Sequence, residues 1–210
     1  MLGKKNNVIV VDYQIGNVSS VINAIKKLGF NCKLSNHYED LKSASHIILP
    51  GVGSFEQGMD NINKLGLKKI IIDYVLNRKI PFLGICLGMQ LLATEGYENN
   101  KHTKGLDLIQ GKVIKLDSKG FKLPHIGWNN AEFLFETPLN KNIQNKSDFY
   151  FVHSWVFECN KKENIVSTTN YGSRFTSTIG QNYIYGTQFH PEKSLEMGLK
   201  LLQNFLNINA

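Results

Sequence analysis

Cysteine is scarce in this sequence: three in 210 residues, at positions 32, 86 and 159. An odd number without close spacing excludes a disulfide framework and points to a reducing, cytoplasmic setting. No CxxC, HxxxH or HExxH occurs, so the usual zinc-ligand spacing is missing and neither a metal nor another cofactor is expected. Long apolar runs are missing as well. The run at 8–11 is closed by Asp12, too short for a secretion signal, and nothing approaches the ~18 residues of a membrane span. There are five prolines, no Pro/Gly/Ser-rich linker and no repeat, so residues 1–210 are expected to form a single domain with a sizeable core. The charge is basic, +7. Its lysines, however, come singly or in pairs (Lys4-Lys5, Lys26-Lys27, Lys68-Lys69, Lys161-Lys162) rather than in the clusters that bind nucleic acid or acidic membranes, and neither partner is expected.

What is present is an alternation of short apolar runs with helical patterns. Residues 8–11 read as a buried strand. Asn17 is a good N-cap, and Val18, Val21, Ile22, Ile25 and Leu28 recur at helical spacing until Gly29 stops the helix. Strands are predicted at 46–49, ended by Pro50, and at 81–85. Helices are predicted at 55–65, at 67–77 and from Leu87 onward. Strands separated by helices imply a parallel sheet covered on both faces. After about residue 107 strand patterns follow one another with little helix between them, at 112–116, 131–135, 149–153, 156–159, 165–169 and 183–189. These imply an antiparallel extension. A last helix at 195–207 carries Leu195, Leu199, Leu202 and Leu206 on one face. The expected fold class is α/β: an open mixed, mainly parallel sheet with helices on both faces.

The sharpest local feature is Pro81-Phe-Leu-Gly-Ile-Cys86-Leu-Gly88-Met-Gln90. An apolar strand runs through Gly-x-Cys-x-Gly into a helix, the setting of a nucleophile elbow at the carboxyl edge of a sheet. A helix N-terminus and a nearby imidazole would both favour the Cys86 thiolate, and the Leu87 amide at the same turn is a natural oxyanion donor. Cys32 and Cys159 sit in no such turn and read as small buried hydrophobes.

A cysteine nucleophile requires a base, and the base an orienting group. Gly186-Thr-Gln-Phe-His190-Pro191-Glu192 supplies both. If Pro191 keeps the backbone extended, His190 and Glu192 point the same way and the carboxylate can steady the imidazole. Pro50-Gly51-Val52-Gly53-Ser54-Phe55-Glu56 follows another strand. It lacks the third glycine of a dinucleotide loop and any GKS or GKT. Its backbone N–H groups could instead hold an oxyanion or a carboxylate beside the nucleophile.

Together GICLGMQ, LPGVGSF and QFHPEKS resemble the class I (triad) glutamine amidotransferases. Asp12 to Asn17 (DYQIGN), Pro124 to Asn129 (PHIGWN) and His153-Ser154 resemble, within them, the glutaminase subunits of imidazole glycerol phosphate synthase. The resemblance spans residues ~8 to ~207, with the motifs in the family's order. It implies that Cys86, His190 and Glu192 hydrolyse glutamine through a γ-glutamyl thioester, and that Gly51, Val52, Gly53 and Leu87 serve the oxyanion. It implies that Gln90 and Glu98, on and just after the elbow helix, bind the glutamine backbone, with His153, Ser154 and Trp155 bordering the site. His125, Trp128 and Asn129 would face a (β/α)8-barrel cyclase that accepts the ammonia in a heterodimer. Each has a plainer reading: Gln90 and Glu98 as solvated residues, the two tryptophans as core aromatics. The chain departs from the pattern at Gln14, where glycine is usual, at Trp155, where tyrosine is commoner, and after Ser194. These departures resemble paralogous subunits that supply ammonia to sugar amidotransferases in surface-glycan pathways, which stays open as the alternative.

Overall fold

The computed structural model describes residues 7–15, 18–98 and 101–209. Gly16 and Asn17, the latter the expected first N-cap, lie outside the described residues. In chain order the elements are β1 (Asn7–Val11), α1 (Val18–Lys27), β2 (Asn31–Ser35), α2 (Tyr38–Lys42), β3 (His46–Gly51), α3 (Phe55–Lys64), α4 (Leu67–Leu76), β4 (Phe82–Cys86), α5 (Leu87–Gln90), β5 (Glu95–Glu98), β6 (Lys101–Lys104), β7 (Gly111–Lys115), β8 (His125–Phe133), β9 (Ser147–His153), β10 (Trp155–Cys159), β11 (Ile165–Tyr171), β12 (Ser173–Gln181), β13 (Ile184–Thr187) and α6 (Leu195–Leu206).

The sheet runs β2-β1-β3-β4-β13-β12-β10-β7-β5-β6. The first five strands are mutually parallel. β13 then turns back through β12, and antiparallel pairing continues to β10 and β7. β11, β8 and β9 branch from the far side of β12. β1, β3 and β4 are buried on both faces, which is why they read as apolar runs. In β1, Ile9 and Val11 face one core with Leu49, Phe82, Met59, Ile62 and Ile71, under α3 and α4. Val8 and Val10 face the other with Ile48, Leu83, Val21, Ile25, Leu201 and Phe205, under α1 and α6. Each such fully buried side chain contributes about 1.5–3 kcal/mol.

Several elements escape the periodicity. β2 (NCKLS) is an edge strand with its Lys and Asn in solvent. β12 (SRFTSTIGQ) buries Thr176, Ser177 and Thr178 between Phe175 and Ile179, so hydroxyls interrupt its buried stretch. β5, β6 and the five-residue α2 are too short to show a period. β3 continues through Pro50 to Gly51 instead of ending at the proline, because Pro50 and Gly51 pair with Ile85 and Cys86. The helix from Leu87 is a single turn, ended where the chain loops toward β5. Leu195 leaves the apolar face expected of α6: it is 73% exposed, and Leu201, Leu202, Phe205 and Leu206 form the buried stripe.

Candidate active site

Two registers assemble the site at the carboxyl edge of the parallel strands. β3 places Gly51 opposite Cys86, and β13 places Thr187 opposite Ile85, so the chain leaving β13 reaches His190 beside the same edge. The elbow itself is tight. Cys86 has φ 54° and ψ −108°, a left-handed conformation costing a non-glycine residue roughly 1–3 kcal/mol. The glycines that flank it make the turn possible: a Cβ on Gly84 would meet the Gly88 carbonyl oxygen at 2.5 Å, and one on Gly88 would collide with the Leu49 carbonyl. Because α5 is one turn long, its dipole is a small influence on the sulfur, and the imidazole becomes the main one.

His190 and Glu192 come together as expected, but by another route. Pro191–Lys193 is a 3-10 turn, not extended chain. The turn brings the Glu192 carboxylate to 2.8 Å from His190 Nδ1, with both side chains 3% exposed. Ser194 pins the turn: its hydroxyl donates to the His190 carbonyl at 2.6 Å and accepts from the Tyr150 amide at 2.9 Å. His190 Nε2 makes no hydrogen bond of good geometry among the described residues, yet the Cys86 sulfur lies near enough for its charge to act. Burial pulls the His190 pKa down. The Cys86 thiolate and the Glu192 carboxylate outweigh burial and hold it at about 10.

The oxyanion segment has a support that sequence reasoning missed. Tyr13 is fully buried, its hydroxyl has no partner among the described residues, and a Cβ on Gly51 would strike that hydroxyl. Burial raises the phenol's pKa, and the nearby Cys86 sulfur raises it further. Just after it, Gln14 adopts φ 62°, so the departure from glycine keeps the glycine conformation, steadied by its amide donating to Asp12 Oδ1 at 3.1 Å. Val52 is exposed and Gly53 has φ 115°. Pro50, Gly51, Val52, His190, Glu192 and Lys193 line a small crevice behind the base, about 10 Å³, that Cys86 does not line, room for one water.

Gln90 is 5% exposed, and its Nε2 donates both to the Trp155 carbonyl at 2.9 Å and to Gln188 Oε1 at 3.1 Å. Glu98 is not beside the elbow helix. It lies on β5, where one oxygen accepts the Phe55 amide at 2.6 Å at the start of α3. His153 and Trp155 flank Ser154, whose carbonyl accepts from Leu116. The expected partner-facing trio divides. Trp128 is 51% exposed, but His125 is 3% exposed, packed on Phe151 and Tyr171 and bonded to His153 at 3.0 Å. His125 is therefore an interior residue, turned inward because β8 alternates and position 125 falls on its buried face. The Asn129 amide donates to the Asn170 carbonyl at 3.0 Å and approaches His125 Nε2 at 3.3 Å.

Residues 9–208 match the family model described as glutamine amidotransferase class-I. The chain is 46% identical over 200 residues to an imidazole glycerol phosphate synthase subunit HisH of Methanococcus maripaludis, covering 95% of this chain and 98% of that one. It is 44% identical over 202 residues to a HisH subunit of Campylobacter jejuni, covering 96% and 100%. It is 43% identical over 208 residues to that of Pelagibacter ubique, again covering 96% and 100%. Among solved structures, that of PurLQS from Thermotoga maritima superposes with a TM-score of 0.74 at 19% identity over 97% of this chain and 99% of that one. A glutamine amidotransferase from the same organism gives 0.71 at 18% over 97% of each. At these identities the solved structures speak for the fold.

Proposed function

The chain belongs to the class-I glutamine amidotransferase family and, within it, to the HisH subunits, and from that premise we propose that it hydrolyses glutamine for an imidazole glycerol phosphate synthase. The observation that carries the reading is a single assembly of groups. The Glu192 carboxylate holds the His190 imidazole, the imidazole lies within electrostatic reach of the Cys86 sulfur, and Gly51 pairs with Cys86 across the strands.

The chemistry follows from those positions. The Cys86 thiolate attacks the amide carbon of glutamine, and the carbonyl electrons move onto oxygen, where N–H groups of the Gly51–Gly53 segment and Leu87 would receive them. His190, which holds its proton firmly while the sulfur is charged, gives it to the departing nitrogen. Ammonia leaves and a γ-glutamyl thioester remains. A water then gives its proton to His190 and attacks the thioester, releasing glutamate and the thiolate. Gln90 has committed both N–H bonds inside the protein, so its Oε1 is the atom left to accept from the substrate's ammonium group. Glu98 would contribute its second oxygen in the same way, and His153, Ser154 and Trp155 border the pocket.

The ammonia passes to a cyclase subunit, which we read as a (β/α)8 barrel docked over this edge, with the exposed Trp128 in the contact and Asn129 behind it. Residues 1–210 act as one domain, in a cytoplasmic setting. No feature of the fold or of these relatives favours the surface-glycan alternative. Cys86→Ala in the complex should abolish synthesis from glutamine and spare synthesis from added ammonium salts. Loss of both would mean that the thiol does something other than attack an amide. The exposed Val52 and the positive-φ Gly53 leave the oxyanion segment free to turn an N–H toward the substrate when the partner docks. Glutamine hydrolysis by the lone subunit should therefore rise at least ~10-fold on adding the cyclase and its ligand, and full activity without them would refute this activation by docking.

A further inference from the structure

Gln188 is a side chain with no exposed surface whose Nε2 lies 3.8 Å from Cys86 Sγ. We propose that Gln188 is a positioning residue for the nucleophile: it presents a fixed N–H to the Cys86 sulfur and holds the thiolate in line for attack. The proposal rests on reading Cys86 as the nucleophile.

The direction of the Gln188 amide follows from one backbone atom. The Trp155 carbonyl can only accept, so the Gln90 atom 2.9 Å from it is nitrogen. That same nitrogen lies 3.1 Å from Gln188, whose facing atom must therefore be oxygen. The other terminal atom of Gln188, the one aimed at the sulfur, is then the donor. The second lone pair of the Trp155 carbonyl takes His153 Nδ1–H at 3.0 Å. Neutral His153 must then accept at Nε2 from His125 Nδ1, and His125 Nε2 is left to accept from the Asn129 amide. Every donor in this buried chain has an acceptor, and no member can be turned over without orphaning another. Such a network costs little to keep and much to reverse, which is what a fixed N–H toward a charged sulfur requires. The Val152 carbonyl also lies near the sulfur, at 3.9 Å, and it can accept only while the thiol keeps its proton, so it does not compete with the Gln188 N–H for the thiolate.

The titratable groups around the sulfur are His190 with Glu192 behind it, from the turn after β13, and Tyr13 from the end of β1. His153 couples to His190 from β9. All remain in place in the variants that test the idea. Gln188→Met removes the donor and preserves the shape. Gln188→Glu preserves the bond from Gln90 and replaces the donor with an acceptor. The rate of Cys86 alkylation by iodoacetamide, followed by mass spectrometry from pH 5 to 9, reads the reactive thiolate directly. At pH 8 the Met variant should react roughly 10-fold slower and the Glu variant up to ~100-fold slower, the range spanned by a hydrogen bond to a charged group. The pH profile should move upward. In the complex, kcat for glutamine should fall by similar factors while KM stays within about 2-fold, since a residue with no exposed surface does not touch substrate. Wild-type alkylation rates in either folded variant, checked by thermal unfolding, would overturn the proposal. Glutamine hydrolysis surviving in Cys86→Ala would instead overturn the nucleophile reading beneath it, and the two failures are distinct.

Discussion

Two pairs of buried histidine contacts lie close together in this molecule and behave in opposite ways. His190 is 3% exposed and His153 is 6% exposed, so burial acts on both. His190 nevertheless keeps its proton up to about pH 10, whereas burial, and after it the neighbouring His125, drives His153 down to about 3. Burial alone brings His125 to about 4. Partner chemistry makes the difference. His190 touches a carboxylate and faces a sulfur that becomes an anion, and those charges exceed the desolvation cost. His125 and His153 touch each other, an amide and a carbonyl, so a proton on either ring would place two donors face to face. One fold thus keeps one imidazole charged for catalysis and two neutral for architecture, by the choice of what each nitrogen meets.

The comparison is most sharply broken at Glu192. Glu192→Gln keeps the shape and removes the charge, so kcat for glutamine should fall ~10²- to 10⁴-fold, as when a triad carboxylate loses its charge. The His190 imidazole should also titrate lower, as read by NMR. A variant with unchanged activity would mean that Glu192 is only structural. The next effect in size is acid sensitivity. In the unfolded chain both His125 and His153 return to about 6.5, so the unfolded state binds more protons below that pH. Their contribution is complete above about 6.5 and is lost progressively as pH falls through about 4 and about 3. Denaturant unfolding should show stability on the order of 1–3 kcal/mol lower at pH 5 than at pH 7. His153→Asn should flatten that slope, whereas a slope equal to the wild-type one would mean that the pair is not held neutral. An effect of comparable size lies outside the histidines. Gly51→Ala should cost about 1–3 kcal/mol through collision with the Tyr13 hydroxyl, and Tyr13→Phe should return most of it. If the two changes simply add, the hydroxyl is not what requires glycine there.

The sequence was most legible where chemistry dictates residue type. Cys86, His190, Glu192 and the Gly51–Gly53 segment are found at one sheet edge because their motifs mark strand ends, and strand ends in a parallel sheet converge. The reasoning for His190 and Glu192 nonetheless used the wrong backbone: a 3-10 turn, not an extended strand, joins them. Had the same alternation been followed backward, Gln188 would have appeared two residues before His190. Tyr13 gave no signal, because a buried tyrosine reads as core until its hydroxyl is found without a partner. Glu98 takes its expected role from the family resemblance, and the structure adds only that it lies on β5 with one oxygen on the Phe55 amide. His125 looked like a surface recognition residue because its motif resembles one, and only the pairing of β8 with β9 reveals that it points inward. β12 stayed hidden because hydroxyls occupy the middle of its buried stretch, between Phe175 and Ile179, and they satisfy one another across the sheet: Ser167 Oγ lies 2.9 Å from Ser177 Oγ and 2.7 Å from Thr178 Oγ1.

The pairing of Gly51 with Cys86 joins two strands that no solvent reaches on either side. Amide protons there exchange only when the entire cooperative unit opens, so the thiol cannot be misplaced by local fraying. One residue further along, Val52 stands outside that unit. Heating should therefore erase the ability to bind glutamine, which depends on the loop, before it erases the reactivity of the sulfur, which persists as long as the molecule does.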